Sequence, residues 1–433
     1  MSRIHSIHAR EVLDSRGNPT LEAHVMLEDG AVGAAIVPSG ASTGTHEAAE
    51  LRDGELNRYH GQGVKKAVRS VEWDIAPVLA GIEASDQALV DRTMIHLDHT
   101  PRKQRLGANA ILGVSMATAR AAANSARLPL YRYLGGAVAH RLPIPMVNIM
   151  SGGIHGGGNI DFQDFMIIPL RAGTYSEALA DVSAVYRAAK AVLIERGAYR
   201  AGVADEGGYA PALESNESGF DVMVAAMERA GLRPGADAAI AVDVAASHFY
   251  NRGSYRLQFE AEGLSAGAMV ERLANCADRF PVLAIEDGLD EEDWEGWKTL
   301  TGRLGSRCLL IGDDLFVTNT QRVERGMEEG IANAVLVKMN QIGTLTETLE
   351  VVNLARQNGY VPVISARSGE TEDDFIADLA VAVGAPLIKI GAITRSERLA
   401  KYNRLKRIEA ELSPKASYHG RETFAEFLAA YSD

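Results

Sequence analysis

Only two cysteines, Cys276 and Cys308, occur in this chain of 433 residues, too few for a disulfide framework. Both fall in stretches that read as buried helix or strand, so a reducing, cytoplasmic setting is expected. Basic residues are outnumbered, with 44 Lys and Arg against 57 Asp and Glu. The net charge of −13 argues against DNA or RNA as the main partner, because binding either draws on basic surface to displace phosphate counterions. A local basic pocket for a small anion is compatible with that balance. No stretch approaches the ~18 apolar residues of a membrane span, and the N-terminus lacks the continuous apolar segment of a signal peptide. The protein is therefore expected to be soluble, unprocessed and without membrane contact. A Walker P-loop and a strand-placed GxGxxG fingerprint are also missing, which removes the common dinucleotide and nucleoside-triphosphate folds.

What is present is ordinary globular composition, 46% hydrophobic and 23% charged, with no low-complexity tract. The length suits two or three domains, or one small domain beside a large barrel. In the first third, Thr20 to Leu27 alternates as a half-buried strand, Asp29-Gly30 signals a turn, and Ala31 to Pro38 returns as the partner strand. Leu106 to Ala126 reads as a long Ala-rich helix. Together these predict a small α+β domain over residues 1–137, in which Pro38 to Gly44 forms a small-residue loop whose glycines permit large backbone changes, an ordinary surface loop fitting it as well.

After Pro143 and Pro145 the rhythm becomes apolar strand, loop, helix, repeated, which predicts an α/β barrel of parallel strands over residues 138–433. Ser176 to Arg196 shows its helical side, with Ser176 as N-cap, an apolar face of Leu179, Val182, Tyr186, Ala189 and Leu193, and Gly197 as stop. Six later strands can be named: Ala239 to Val244, Val282 to Glu286, Leu309 to Asp313, Ala334 to Lys338, Val361 to Ser365 and Leu387 to Ile390. Each carries a polar or ionisable residue at or near its C-terminal end, namely Asp243, Glu286, Asp313, Lys338, Ser365 and Lys389. The last five are spaced 27, 25, 27 and 24 residues apart, about one βα unit each. A closed barrel would bring those ends to one rim, where such folds place their chemistry.

Three carboxylates on consecutive strands repel one another unless compensated. A hard divalent cation is the usual answer, and oxygen-only ligands favour Mg²⁺ over Zn²⁺. Salt bridges to Lys338 and Lys389 are the alternative reading of the same residues. Facing a metal and each other, those lysines would be disfavoured as ammonium ions, and a lysine so placed can serve as a general base near neutrality. Arg367-Ser368-Gly369 offers a guanidinium, a hydroxyl and a permissive backbone for a phosphate. The run Ser151 to Gly158 brings His155 near any ligand, although a capped loop histidine fits that run equally well.

The segments Val12-Leu13-Asp14-Ser15-Arg16-Gly17-Asn18-Pro19-Thr20, Ser39-Gly40-Ala41-Ser42-Thr43-Gly44, Asp205-Glu206-Gly207-Gly208, Ile285-Glu286-Asp287-Gly288, Gly312-Asp313-Asp314-Leu315, Asn340-Gln341-Ile342-Gly343 and Ser368-Gly369-Glu370-Thr371 resemble enolases, in order and over essentially the whole chain. The resemblance implies a small N-terminal α+β domain before an eight-stranded barrel with irregular first strands. It implies Mg²⁺ on Asp243, Glu286 and Asp313, a second Mg²⁺ on Ser42 at lid closure, and Lys338 as base at C2. Lys389 would stabilise the enolate and Glu206 would act as acid at C3. Arg367 and Ser368 would hold the phosphate, with His155 and Gln163 lining the pocket. A small phosphorylated or phosphonylated carboxylic acid as substrate, and a homodimer or larger homo-oligomer, are likewise implied.

Four positions depart from the enolase pattern. Ala366 stands for a pocket histidine, Asp164 for a glutamate, Ile154 for a serine and Ile390 for a threonine. The first two belong to the side where hydroxide would leave. The departures point to a specialised homologue resembling carboxyphosphonoenolpyruvate synthase of phosphonate natural-product biosynthesis, with ordinary glycolytic enolase as the alternative and a catalytically dead scaffold as a further reading.

Overall fold

The computed structural model describes residues 2–41 and 43–429. The chain opens with an antiparallel meander of β1 (Ile4–Leu13), β2 (Pro19–Leu27) and β3 (Val32–Ile36). β1 has no counterpart in the sequence reading, because its alternation is broken by His5, His8 and Arg10 on a largely solvated face. The helix Ala108–Ser125 packs on β2 and β3 with most of its residues buried. Gly33 makes that approach possible, since a Cβ there would lie 2.1 Å from the Ala117 carbonyl oxygen of the helix. On the same helix Arg120 reaches the barrel, where both guanidinium nitrogens bond Asp373, at 2.6 and 2.9 Å.

Eight further strands close a barrel: β4 (Ile144–Ser151), β5 (Asp164–Pro169), β6 (Ala238–Asp243), and, after a short hairpin of β7 (Tyr250–Asn251) and β8 (Ser254–Tyr255), β9 (Val282–Glu286), β10 (Leu309–Gly312), β11 (Ala334–Val337), β12 (Val361–Ser365) and β13 (Leu387–Gly391). All six named strands are present within a residue or two of the sequence reading. The parallel rhythm read from the later strands does not extend to β5, which runs antiparallel to both β4 and β6, an irregularity among the first strands of the kind the resemblance implied. The connection from β4 to β5 carries no crossover helix, so the returning strand must reverse direction. The helix Tyr175–Glu195 likewise begins earlier than expected, with Thr174 rather than Ser176 as N-cap. Thr174 Oγ1 accepts the Glu177 amide and Glu177 Oε2 accepts the Thr174 amide, both at 3.1 Å, whereas the Ser176 amide is taken by Glu409. Among the described residues no helix is long and apolar enough to cross a membrane. Cys276 and Cys308 are both buried, and no disulfide joins them.

The barrel interior explains where the polar groups sit. Successive side chains of a strand point to opposite faces, so inward positions recur every second residue. Each strand contributes inward apolar residues to one core: Ile144 and Met146, Met166 and Ile168, Ala239 and Ala241, Ala284, Leu309 and Ile311, Ala334 and Leu336, Val363, and Leu387. Phe424 and Leu428 from the C-terminal segment join the same cluster.

Candidate active site

Continuing each inward series by two residues gives the next layer, and every member is polar: Asn148, Asp164, Asp243, Glu286, Asp313, Lys338, Ser365 and Lys389. In the reversed strand β5 that member is its first residue, Asp164. Rigid strand ends therefore carry the ring, and all eight groups are buried or nearly so.

Charge inside the ring is neutralised in pairs. Lys389 Nζ donates to Asp243 Oδ2 at 2.9 Å and to both Glu286 oxygens at 2.7 Å. Lys338 Nζ makes a close ion pair with Asp313 Oδ2, whose other oxygen accepts Gln341 Nε2 at 2.8 Å. One ammonium cannot neutralise two carboxylates. Burial acts to raise Asp243, but the Lys389 charge overrides it and the pKa falls to about 2. Glu286 is pushed well above the carboxylate range by burial and by the Asp243 charge. Burial also opposes the two ammonium groups, yet Asp313 leaves Lys338 raised, and Asp243 with Glu286 leave Lys389 raised well above the usual value. These carboxylates hold both lysines in their cationic form. Without a cation the lysines themselves balance the carboxylates, the salt-bridged arrangement that the sequence left open.

One cavity opens on the ring. His155, Gln163, Glu206 and Asp243 line one side, and Lys338, Ser365, Ala366, Arg367, Ser368, Lys389 and Ile390 the other. Asp164 lies behind this lining, wholly buried. Its Oδ1 accepts Asn148 Nδ2 at 2.5 Å and Ser151 Oγ at 2.8 Å, and its Oδ2 sits 3.0 Å from His155 Nδ1. Candidate ligand atoms of His155, Asp164 and Glu206 lie within 4.8 Å of one another. Burial lowers the His155 pKa but the Asp164 charge more than offsets it, so the imidazole is held towards its cationic form. Burial tends to raise Glu206, yet His155, Arg398 and the lysines leave it lowered. Gln163 Nε2 donates to Asp243 Oδ2 at 3.1 Å. Of the four departures, Ala366 and Ile390 face the cavity, while Ile154 is 53% exposed and lies outside it.

The loop carrying Arg367 and Ser368 is braced from both sides. Arg398, fully buried, donates through Nη1 to the carbonyls of Arg367 at 2.5 Å and Ile390 at 3.0 Å, and through Nη2 to that of Ser368 at 2.6 Å. From the N-terminal region, Glu47 takes both terminal nitrogens of Arg367, at 3.0 and 3.1 Å. The lid pairs Ser39 with Gly369 through two backbone hydrogen bonds of 2.8 and 2.9 Å, and the Ala41 amide donates to Ser368 Oγ at 2.6 Å. Ser42 lies outside the described residues.

Two family descriptions match this chain in succession, "Enolase, N-terminal domain" over residues 4–134 and "Enolase, C-terminal TIM barrel domain" over residues 139–427. The chain belongs to the enolase family. It is thus an enzyme of the enolase superfamily, a group that works on small phosphorylated acids and generally uses Mg²⁺. Hard oxygen donors buried with an excess of negative charge are what such a cation requires. The ring meets that test, since Glu286 is left undercompensated and burial with Asp313 pushes the neighbouring Asp314 up to about 8. Asp287, Asp313 and Asp314 also bring ligand atoms within 4.8 Å of one another. Of that group Asp287 is structural, because its two oxygens accept the amides of Asp313 and Asp314 at 2.9 and 2.8 Å.

Five residues of this enolase site escaped the sequence reading: Glu47, Asn148, Ser151, Gln341 and Arg398. Asn148 was accessible to it, as the next inward position after Ile144 and Met146. Glu47 and Arg398 gave no signal, because their partners lie 320 and about 30 residues away in the chain.

Proposed function

We propose that this enzyme removes the proton beside the carboxylate of a small phosphorylated acid, and that its reaction is specialised, resembling that of carboxyphosphonoenolpyruvate synthases, in which the phosphonoformyl group of a nucleotide-activated donor passes to an enolpyruvate unit and the nucleotide leaves. Asp243, Glu286 and Asp313 would hold Mg²⁺, which when bound supplies positive charge for the carboxylate and the developing enolate. Lys338 serves as the base, on the rim of the cavity opposite Glu206 and His155. With a cation held by Asp313, less of that carboxylate's charge would act on Lys338, which would favour the neutral form a base needs. Lys389 stays cationic beside the enolate oxygens, Arg367 and Ser368 orient the phosphate, and Glu206 with His155 supplies a proton to a leaving or transferred group.

The observation that carries the specialised reading is Ala366. It is buried, lines the cavity together with Arg367 and Lys389, and presents a methyl group where the family pattern has an imidazole. Ordinary dehydration is favoured by a different observation, the close grouping of His155, Asp164 and Glu206. Product analysis by mass spectrometry, with Mg²⁺ and 2-phosphoglycerate, phosphoenolpyruvate or a nucleotide-activated phosphonoformate, separates the two. The expected result is slow dehydration, lower than an ordinary enolase by ~10²-fold or more, with partial recovery in the Ala366→His, Asp164→Glu double variant. Conversion of 2-phosphoglycerate to phosphoenolpyruvate by the unaltered enzyme at tens of turnovers per second, roughly the ordinary enzymatic range, would make it a plain enolase.

A further inference from the structure

Glu47 joins three parts of the molecule through one carboxylate. It is 5% exposed and immediately follows the lid. Its Oε2 accepts Arg367 Nη1 at 3.0 Å, and its Oε1 accepts Arg367 Nη2 at 3.1 Å and the Gly44 amide at 3.1 Å. Gln341 Nε2, which bonds Asp313 at 2.8 Å, lies 3.4 Å from the same oxygen. The backbone of the segment is fixed as well, with the Ala48 amide on the Gln341 carbonyl at 2.7 Å and Arg102 Nε on the Glu47 carbonyl at 2.8 Å.

Both ends of the lid therefore meet the 367–369 segment. The near end is tied by Ser39 to Gly369, where a Cβ would lie 2.4 Å from Arg16 Nη2 and 2.5 Å from the Ser39 carbonyl oxygen, so only glycine permits the pairing. The far end is tied by Gly44 to Glu47 and through it to Arg367. Gly44 is itself pressed on the barrel, since a Cβ there would lie 2.7 Å from Val317 Cγ1. A planar guanidinium held by a carboxylate fork is fixed in direction, and Asn340 Oδ1 accepts Arg367 Nη1 at 2.8 Å beside the fork. We propose that Glu47 is a positioning residue that makes docking of the lid and orientation of the anion-gripping Arg367 a single event. When the fork is intact, Arg367 faces the cavity and Gly44 is held down. When it breaks, both are released, and Ser368 loses the lid amide it accepts.

Backbone hydrogen exchange tests the coupling without any ligand. In Glu47→Gln, which removes the charge and one arm of the fork, exchange is expected to rise roughly tenfold or more at Gly44, and also at Ser39, Ala41 and Gly369, which Glu47 does not touch. Arg367→Lys, which breaks the same fork from the other side, should release the same four amides, and Glu47→Asp should fall between Glu47→Gln and the parent. Faster exchange at Gly44 alone in Glu47→Gln, or unchanged exchange at Gly44 and Ser39 in Arg367→Lys, would overturn the coupling. A second arm, titration with 2-phosphoglycerate and Mg²⁺, rests on the reading of Arg367 as the phosphate grip. There Glu47→Gln should weaken binding about tenfold while kcat falls less. If 2-phosphoglycerate binds neither protein, the grip reading fails for that ligand, and the exchange pattern still decides the coupling.

Discussion

Lys389 offers the most direct test of how the ring is balanced. Its ammonium stands 2.7 to 2.9 Å from three carboxylate oxygens on Asp243 and Glu286, and its side chain is only 6% exposed. Lys389→Met keeps the length and removes the charge, leaving two buried carboxylates face to face. Breaking a buried pair from one side costs about 3–5 kcal/mol. With an unfolding entropy of roughly 2.1 cal/mol/K per residue, that corresponds to a drop of about 3–5 °C in the melting temperature for a chain of 433 residues. The loss depends on pH in a defined direction. In the variant both carboxyl groups hold protons above their unfolded pKa values, so the folded state binds more protons and stability falls as pH rises from about 4 upwards. The deficit should therefore be small at pH 5 and full at pH 8, in EDTA. Mg²⁺ then replaces the missing charge and should stabilise the variant more than the parent. Scanning calorimetry of both proteins at the two pH values, with EDTA and with Mg²⁺, gives the four differences needed. Equal melting temperatures in EDTA at pH 8, or equal gains from Mg²⁺, would refute the pairing of Lys389 with these carboxylates.

The same ring makes further outcomes measurable. Asp243→Ala should abolish Mg²⁺-dependent thermal stabilisation, which for a saturating ligand at 100 times its Kd amounts to about 2.7 kcal/mol in the parent; a retained shift in melting temperature would move the metal elsewhere. Lys338→Ala should stop solvent deuterium from entering C2 of 2-phosphoglycerate, read by NMR, and exchange persisting at the parental rate would assign the base to another group. Asp314, pushed up to about 8 by burial and by Asp313, holds a proton that the unfolded chain has lost, so it costs stability as pH rises from about 4 to 8. Asp314→Asn should therefore raise the urea midpoint in EDTA at pH 8 and raise it only slightly near pH 4, and an equal effect at both pH values would show that this carboxyl does not titrate in that range.

Much of this site was legible because its groups sit at fixed points of a period-two pattern. Asp243, Glu286, Asp313, Lys338, Ser365 and Lys389 each end an apolar strand, and strand ends in a barrel converge whatever the loops do. The pattern failed at β4 and β5. There the chain reverses, so Asp164 opens its strand instead of ending it, and its side chain supports His155 from behind instead of lining the cavity. The pairing of the lysines was left open for a different reason. A sequence lists charges without their distances, and the balance between Lys389 and its two carboxylates is set by contacts under 3 Å. Glu47 and Arg398 were invisible because their worth lies wholly in partners supplied by tertiary packing.

The departures from the enolase pattern can be weighed by what the cavity leaves unsatisfied. Replacing a histidine by Ala366 creates no buried polar orphan, and Asp164 has donors on both oxygens, so neither change strains the fold. Two atoms beside the cavity are different: His155 Nε2 and Gln163 Oε1 are buried without a hydrogen-bond partner. An unmade buried hydrogen bond costs ~1–3 kcal/mol. With Nδ1 facing the Asp164 carboxylate and the ring held towards its cationic form, Nε2 carries a proton to donate, whereas Gln163 Oε1 can only accept. The favoured ligand is one that presents an acceptor to His155 and a donor to Gln163, a pair of demands that a hydroxy acid meets and a bare carboxylate does not. Ala366 lines the same cavity and adds no polar demand of its own. Under the proposed function, a larger second group at that point would be selected by shape, and the first substrate by His155, Gln163 and the strand-end charges.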